Sequence, residues 1–186
     1  QASHSWAAGW PGDSIIPVPT LHIIDIASKS NREVRIAPQP VQITLSGSAR
    51  DSVWSDGSDK VYVSALGRGS QRATLHEVDA ATGTVRLRAA DSSKTYVELA
   101  PPNEPQTWYV TRDGQDTFWW SERDGWAHFY RLAPDGSIRN RLTEGAWFAS
   151  AIQHVDETAK QVYFTARGRE AGHFWYYAKL YRVNFD

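Results

Sequence analysis

The 186-residue sequence contains no cysteine, no methionine and no long apolar run, and it carries almost no net charge. Without cysteine, neither a disulfide framework nor a thiolate metal site can form, and the redox environment stays open. No apolar run approaches the roughly 20 residues that a membrane-spanning helix needs. The 20 basic and 21 acidic residues give a formal charge of -1, which creates no field that would attract nucleic acid or an anionic bilayer. We expect neither nucleic acid nor a membrane as a partner.

The absence of methionine has a second consequence, because a translated chain normally begins with that residue. This sequence begins directly with Gln1 and shows no recognisable leader. We therefore expect a piece of a longer protein. Its composition is ample for a core, since 41% of the residues are hydrophobic and 12% are aromatic, at a mean hydropathy of -0.52.

The stretch from Thr107 to Trp147 is the clearest structural unit of the sequence. Short runs of β-branched and aromatic residues alternate in it with turns that contain glycine next to aspartate. The pattern predicts four antiparallel strands, at 108–110, 117–121, 126–132 and 138–142. A single meander cannot bury both faces of so aromatic a sheet, so we expect the unit to repeat.

The pattern of the predicted third strand recurs at four places. Its first residues are Leu21, Leu75, Phe129 and Leu180, which lie 54, 54 and 51 residues apart. A step near fifty residues with four short strands per step is typical of a β-propeller rather than a solenoid. The sequence therefore predicts an all-β fold, a partial β-propeller of four-stranded antiparallel blades.

The domain organisation follows from this repeat. Residues 1–19 are broken by prolines and form an irregular connector, and residues 20–186 form an incomplete propeller domain. We expect blade parts at 20–45, 51–90, 107–147 and 148–186. Val53 and Trp54 are expected to begin the second part. About three blades' worth of sheet cannot close a ring. Open sheet edges invite pairing, so we expect the isolated chain to form a homodimer or a larger assembly.

Several blocks, taken in order, resemble one family closely. They are W-W-S-E-R-D-G-W-A-H-F-Y at 119–130, R-L-T-E-G-A-W at 141–147, V-D-E at 155–157, V-Y-F-T-A at 162–166 and L-Y-R-V at 180–183. The chain resembles the N-terminal β-propeller of the dipeptidyl peptidase IV branch of the prolyl oligopeptidase (S9) serine peptidases. The resemblance covers residues 21–186 and is strongest after residue 107.

This resemblance implies a C-terminal α/β-hydrolase domain, whose Ser-Asp-His triad removes dipeptides from free N-termini, and it favours a periplasmic or secreted location. The nucleophile of such a domain sits in a G-x-S-x-G elbow, which this sequence lacks; G-R-G-S-Q at 67–71 fails the pattern. The family also binds the substrate ammonium with an adjacent Glu-Glu pair. The only adjacent acidic pair here, Asp156-Glu157, lies in a predicted hairpin turn. We assign no catalytic, substrate-binding or metal-binding residue and no cofactor.

Other polar candidates have a structural interpretation beside the functional one. Ser121-Glu122-Arg123-Asp124 is predicted to lock a turn, with a carboxylate that accepts backbone N–H bonds and pairs with the arginine. Glu104 could face a catalytic cavity, but a solvated loop is expected. The six histidines show no H-x-x-x-H spacing and are predicted to be structural; they are His4, His22, His76, His128, His154 and His173.

The nine tryptophans could form a platform that stacks on carbohydrate. Some of them fall at repeat-related positions and are instead predicted to pack between sheets; these are Trp54, Trp119 or Trp120, and Trp147. The pattern gives no role to Trp6, Trp10 or Trp175.

The functional hypothesis is a non-catalytic propeller region that gates and orients peptide substrates for the C-terminal hydrolase domain of a dipeptidyl-peptidase-IV-like serine peptidase. This chain alone is expected to be inert, whereas its parent is expected to be an enzyme. The alternative is a stand-alone propeller module that binds protein or carbohydrate.

Overall fold

The computed structural model describes residues 12–37, 42–44, 54–98 and 107–186. Within these ranges the chain forms strands and turns, one short 3-10 turn at Arg68–Ser70 and no α-helix. The strands are β1 (Leu21–Asp25), β2 (Ser30–Val34), β3 (Gln42–Thr44), β4 (Lys60–Leu66), β5 (Arg72–Asp79), β6 (Val85–Ser92), β7 (Trp108–Val110), β8 (Thr117–Ser121), β9 (His128–Leu132), β10 (Ile138–Arg141), β11 (Phe148–Asp156), β12 (Gln161–Arg167) and β13 (Lys179–Asn184).

The strands form four antiparallel sheets in chain order. The first sheet contains β1 and β2, the second β3 to β6, the third β7 to β10 and the fourth β11 to β13. Every strand pairs with its neighbour in sequence, as in a meander. The predicted all-β partial propeller is therefore confirmed.

The repeat identified in the sequence corresponds to equivalent strands. Leu75 lies on β5, Phe129 on β9 and Leu180 on β13, each of which is the third strand of its sheet. The second sheet differs from its expected outline, because its first strand is β3, where Gln42 is opposite Leu66. Trp54 forms only an isolated bridge to Val61.

The core consists of three layers of side chains, one between each pair of successive sheets. Alternation along the strands sends one face of a sheet into each layer. On β8, Trp119 is buried toward the second sheet, whereas Phe118 and Trp120 are buried toward the fourth. Between the first and second sheets, Val34 packs with Val63.

Some of the tryptophans predicted to pack between sheets do so. Trp119 and Trp120 are both buried, and Trp147 packs against the layer between the third and fourth sheets. The same prediction is wrong for Trp54, because this residue is 44% exposed. It lies outside the layers because its only pairing is the bridge to Val61 beside a turn. Trp6 and Trp10 lie outside the described residues.

The connections alternate between two ends of the blades. We call "hairpin end" the end with the turns β1–β2, β5–β6, β7–β8, β9–β10 and β11–β12. We call "connection end" the end with the segments β4–β5, β6–β7, β8–β9, β10–β11 and β12–β13. Contacts between sheets agree with this division: the Asp56 carboxylate pairs with Arg112 at the hairpin end, and the Asp91 carboxylate pairs with Arg123 at the connection end.

Candidate functional site

The connection end holds an open cleft of about 380 Å³ between the second and third sheets. One side is the end of β6 with the segment that follows it, and the other is the β8–β9 turn. The lining residues are Asp91, Ser92, Ser93, Tyr96, Val97, Glu98, Ser121, Glu122, Arg123 and Gly125. Most of these side chains are polar, so the cleft suits a polar ligand better than an apolar one.

The floor of the cleft is an ion pair that links the two sheets. The Asp91 carboxylate accepts from Arg123 Nη2 at 2.6 Å and from the Trp119 indole N–H at 2.7 Å. The Arg123 guanidinium also lies 4.8 Å from the centre of the Tyr130 ring. Its Nε donates to Ser121 Oγ at 2.9 Å. Asp91 and Arg123 thus neutralise each other and hold the cleft in shape.

The walls of the cleft include two carboxylates, those of Glu98 and Glu122. Burial raises the pKa of Glu122, and the nearby charge of Glu98 raises it further. The charge of Glu98 also raises the pKa of Tyr96, whose hydroxyl donates to the Glu98 carboxylate at 3.3 Å. A cationic group placed beside Glu122 would stabilise its ionised form. The cleft therefore favours ammonium or guanidinium groups.

The predicted turn at 121–124 exists, with different partners. Arg123 pairs with Asp91 of the second sheet rather than with a carboxylate of its own turn. Ser121 Oγ, not a carboxylate, accepts the Arg123 backbone N–H at 3.2 Å. Asp124 accepts from the Tyr130 hydroxyl at 2.6 Å and from Arg141 at 3.0 Å, and the Tyr130 bond lowers its pKa. The turn locks the sheets together and also lines the cleft.

The structure places the five described histidines apart. His22, His154 and His173 are exposed, and His76 is buried in β5, where burial lowers its pKa to about 4. Within the described ranges there is no cluster of three or more His, Asp or Glu side chains that could hold a metal ion.

His128 is buried at the start of β9, in a specific network. Its Nε2 is 3.0 Å from the Gly145 carbonyl and therefore donates, and its Nδ1 is 3.0 Å from Thr143 Oγ1. Burial lowers the pKa of His128, which agrees with a neutral ring that accepts at Nδ1. The Trp147 ring packs edge-on at 5.0 Å. This histidine joins the third sheet to the β10–β11 segment.

The acidic pair Asp156-Glu157 lies in the β11–β12 turn at the hairpin end. Asp156 accepts the Ala159 backbone N–H at 2.8 Å. Glu157 reaches the third sheet, where it accepts from the Tyr109 hydroxyl at 2.7 Å and from the Arg112 backbone N–H at 3.1 Å. Both carboxylates thus accept hydrogen bonds from the protein itself. They lie at the hairpin end, whereas the cleft lies at the connection end. Glu104 lies outside the described residues.

Sequence reasoning missed two features of this surface. Glu98 lines the same cleft as Glu122 because the segment after β6 folds back, with the Val97 N–H donating to the Ser70 carbonyl at 2.7 Å. The β12–β13 segment exposes four consecutive aromatic residues, from Phe174 to Tyr177. The run F-W-Y-Y was a signal in the sequence for the exposed aromatic residues. No pattern in the sequence indicated that Glu98 and Glu122 line the same cleft.

No helix long and apolar enough to cross a membrane occurs in the part of the chain that the structure describes. The fold and the cleft together define an all-β, propeller-type region with a polar surface at one end.

Residues 10–186 match the family described as "Dipeptidyl peptidase IV (DPP IV) N-terminal region". This chain therefore belongs to that family. Among curated proteins, it is 25% identical over 154 residues to dipeptidyl peptidase 4 of Arthroderma otae and 26% identical to that of Trichophyton rubrum. Each match covers 81% of this chain and 19% of the relative.

Solved structures show the same fold. The dipeptidyl peptidase 4 of Porphyromonas gingivalis aligns with a TM-score of 0.69 at 21% identity, over 89% of this chain and 22% of that one. A putative dipeptidyl aminopeptidase IV from Bacteroides ovatus aligns with a TM-score of 0.58 at 21% identity, over 80% of this chain and 22% of that one. The chain thus spans about a fifth of the length of the relatives it matches.

Proposed function

We propose that this chain is the non-catalytic region of a dipeptidyl-peptidase-IV-like serine peptidase, which gates and orients peptide substrates for a C-terminal α/β-hydrolase domain. The observation that carries the proposal is the family match over residues 10–186. The relatives are about five times longer than the chain's aligned part, which leaves room for a catalytic domain. A propeller gates by geometry, so it needs no nucleophile of its own.

The cleft at the connection end supports a contribution to substrate orientation. A peptide with a free N-terminus carries an ammonium group, and the Glu122 carboxylate on the wall of the cleft favours such a cation. Arg123 pairs with Asp91 rather than with Glu122. We therefore expect the cleft to attract cationic peptides through long-range charge and through direct contact.

The parent protein offers the direct test of the proposed function. Its gene should encode a G-x-S-x-G elbow downstream of Asp186, followed in order by an aspartate and a histidine. The purified parent should release dipeptides from a chromogenic peptide with a free N-terminus and not from its N-acetylated counterpart. The 186-residue chain alone should release none. A parent with further blades and no elbow would contradict the proposal.

Substrate gating has its own measurement within the same protein. The parent should cleave a short peptide far faster than a folded protein with the same N-terminal residues, because the propeller excludes bulk. Glu122→Gln in the parent should raise KM for a peptide with a lysine near its N-terminus, with kcat unchanged. Equal KM values for cationic and neutral peptides would remove the cleft from the proposal and leave gating in place.

The alternative, a binding module for protein or carbohydrate, is supported by the exposed aromatic residues between β12 and β13. Sugar rings stack on such side chains, so a carbohydrate ligand would quench tryptophan fluorescence saturably. A titration with a panel of oligosaccharides that leaves the fluorescence unchanged would exclude the carbohydrate form of this alternative.

A further inference from the structure

One tyrosine of the third sheet binds an arginine and two carboxylates in a defined arrangement. The Tyr130 hydroxyl donates to the Asp124 carboxylate at 2.6 Å. The Arg123 guanidinium lies over the ring, with its carbon 4.8 Å from the ring centre, and donates to a second carboxylate, that of Asp91, at 2.6 Å. An arginine suits this position because its planar guanidinium stacks on an aromatic face while its N–H groups reach a carboxylate.

The fourth sheet contains a related arrangement. The Tyr181 hydroxyl donates to the Glu170 carboxylate at 3.2 Å, and the guanidinium carbon of Arg169 lies 4.8 Å from the centre of the Tyr181 ring. A third tyrosine that donates to a carboxylate, Tyr109, has the Phe118 ring stacked at 6.1 Å instead. A tyrosine held through its hydroxyl by a carboxylate thus presents a ring that this fold covers with a planar group.

Tyr96 in the cleft has the same anchor and an open ring. Its hydroxyl donates to the Glu98 carboxylate at 3.3 Å, and the residue is 54% exposed. In the part of the chain that the structure describes, no cationic group lies over this ring. The hydrogen bond to Glu98 fixes where the ring lies, so the exposed face is a preformed surface for a stacking group.

A second carboxylate stands beside this ring, as Asp91 does beside Tyr130. Glu122 lines the cleft together with Tyr96, and the charge of Glu98 followed by that of Glu122 raises the pKa of the Tyr96 hydroxyl. Both carboxylates therefore lie near the tyrosine. The basic residue of the lining, Arg123, is already paired with Asp91. The cleft of about 380 Å³ leaves room for a ligand side chain between the ring and Glu122.

We propose that the cleft binds a guanidinium group, supplied by an arginine side chain of a peptide, which stacks on Tyr96 and donates to Glu122. Tyr96 then determines specificity. A lysine ammonium reaches Glu122 but has no plane to stack on the ring, and the planar urea group of citrulline stacks but carries no charge. That this peptide is a substrate rests on the proposed function, whereas the guanidinium site itself does not.

Equilibrium binding to the parent protein tests the site without any cleavage. The probes are the N-acetyl amides of arginine, lysine and citrulline, which have no free N-terminus, and saturation-transfer NMR measures their dissociation constants. The arginine probe should bind at least about threefold more tightly than the lysine probe, because it makes both contacts at once. The citrulline probe should bind at least about tenfold more weakly than the arginine probe, because it lacks the charge.

Variants separate the ring from the carboxylate. Tyr96→Leu should weaken arginine binding roughly two- to fivefold and remove the preference over lysine, whereas Tyr96→Phe keeps the ring and should keep the preference. Glu122→Gln should weaken the binding of both cations. Tyr176→Leu is the matched control, since Tyr176 is 72% exposed and lies outside the cleft; it should change no dissociation constant. Thermal unfolding confirms that each variant is folded.

The outcomes distinguish this site from the peptidase function. Citrulline bound as tightly as arginine, or a folded Tyr96→Leu variant that keeps the preference for arginine, would overturn the guanidinium site. A parent that releases dipeptides and shows no Tyr96-dependent binding would lose this site alone. A parent that binds the arginine probe through Tyr96 and releases no dipeptides would support the site and contradict the proposed function.

Discussion

At the hairpin end each named turn is short and closed by a side chain from its own residues, whereas the connection end combines short turns such as β8–β9 with two longer segments, β6–β7 and β12–β13. In the β5–β6 turn, Asp79 accepts the Thr82 backbone N–H at 2.7 Å, and in the β9–β10 turn, Asp135 accepts that of Ser137 at 2.9 Å. At the opposite end, the β8–β9 turn is closed by its own Ser121 and is also paired with Asp91 of another sheet.

This contrast suggests different roles for the two ends. The local turns of the hairpin end stabilise the fold, whereas the connection end carries the candidate binding surfaces. Local turns need only a few residues of the right type, so they recur in every blade. Segments that depend on other sheets can vary in length and composition without disturbing the blade. The cleft and the exposed aromatic residues 174–177 both lie at the connection end, as expected for surfaces carried by variable loops.

The largest difference in stability should separate two arginines, Arg88 and Arg123, which join the same two sheets. Arg88 is 1% exposed, pairs with Glu77 at 3.3 Å and donates to the Gly114 carbonyl at 2.8 Å in the β7–β8 turn of the hairpin end. Arg88→Met should lower the free energy of unfolding by about 3 to 5 kcal/mol, because it leaves the Glu77 carboxylate buried and unpaired. Denaturant unfolding measures this loss.

Arg123→Met at the connection end is the comparison. Its ion pair with Asp91 is partly exposed, so the loss should be about 1 kcal/mol. Adding Glu77→Gln to Arg88→Met should recover part of the stability, since the unpaired charge is then removed. Equal losses for the two arginine variants would show that burial does not distinguish the two ends.

A smaller effect should separate two glycines with positive φ. Gly145, in the β10–β11 segment, has φ +122°, and a Cβ there would lie 2.5 Å from Trp147 Nε1. Because this ring packs against His128, Gly145→Ala should cost about 2 to 4 kcal/mol. Gly114, in the β7–β8 turn, has φ +68° with no atom near its Cβ position, so Gly114→Ala should cost about 1 kcal/mol.

Thermal unfolding of both alanine variants checks this difference. The Gly145 variant should also lose near-ultraviolet dichroism from Trp147, which the Gly114 variant should keep. A Gly145→Ala protein as stable as Gly114→Ala would mean that the Trp147 ring shifts freely, contrary to its packing at the connection end.

The same contrast decides how much could be predicted from sequence. The third-strand anchors Leu75 and Phe129 and the turns after them are local patterns, and the structure has them where the period requires. The partner of Arg123 could not be predicted, because Asp91 lies in another sheet, and no spacing links the two. Arg88 had no signal either, since a lone arginine on a strand is usually solvated. The prediction that Trp54 packs between sheets was wrong, because its position in the repeat did not reveal its exposure.

The smallest effect concerns pH, and its sign should differ between two hairpin-end carboxylates, Asp79 and Asp135, and Glu122 of the connection end. Side-chain hydrogen bonds lower the pKa of Asp79 and of Asp135 at the hairpin end below the ordinary value of 3.8. Carboxylates with a lowered pKa stabilise the fold above pH 4, and this contribution is lost as the pH falls through the folded-state pKa. Asp79→Asn with Asp135→Asn should therefore lower Tm at pH 7 and should flatten its decline below pH 4.

Glu122 at the connection end should behave in the opposite way. Burial raises its pKa above the ordinary value of 4.5, so ionisation opposes folding, and the fold loses stability as the pH rises through that range. Glu122→Gln should therefore raise Tm at pH 7 and leave it unchanged near pH 3, where both states are protonated. A Glu122 variant that loses stability at pH 7 would place its carboxylate in a folding contact, like those of the hairpin end. The Glu122 carboxylate would then contribute to the fold and would not be available to a ligand in the cleft.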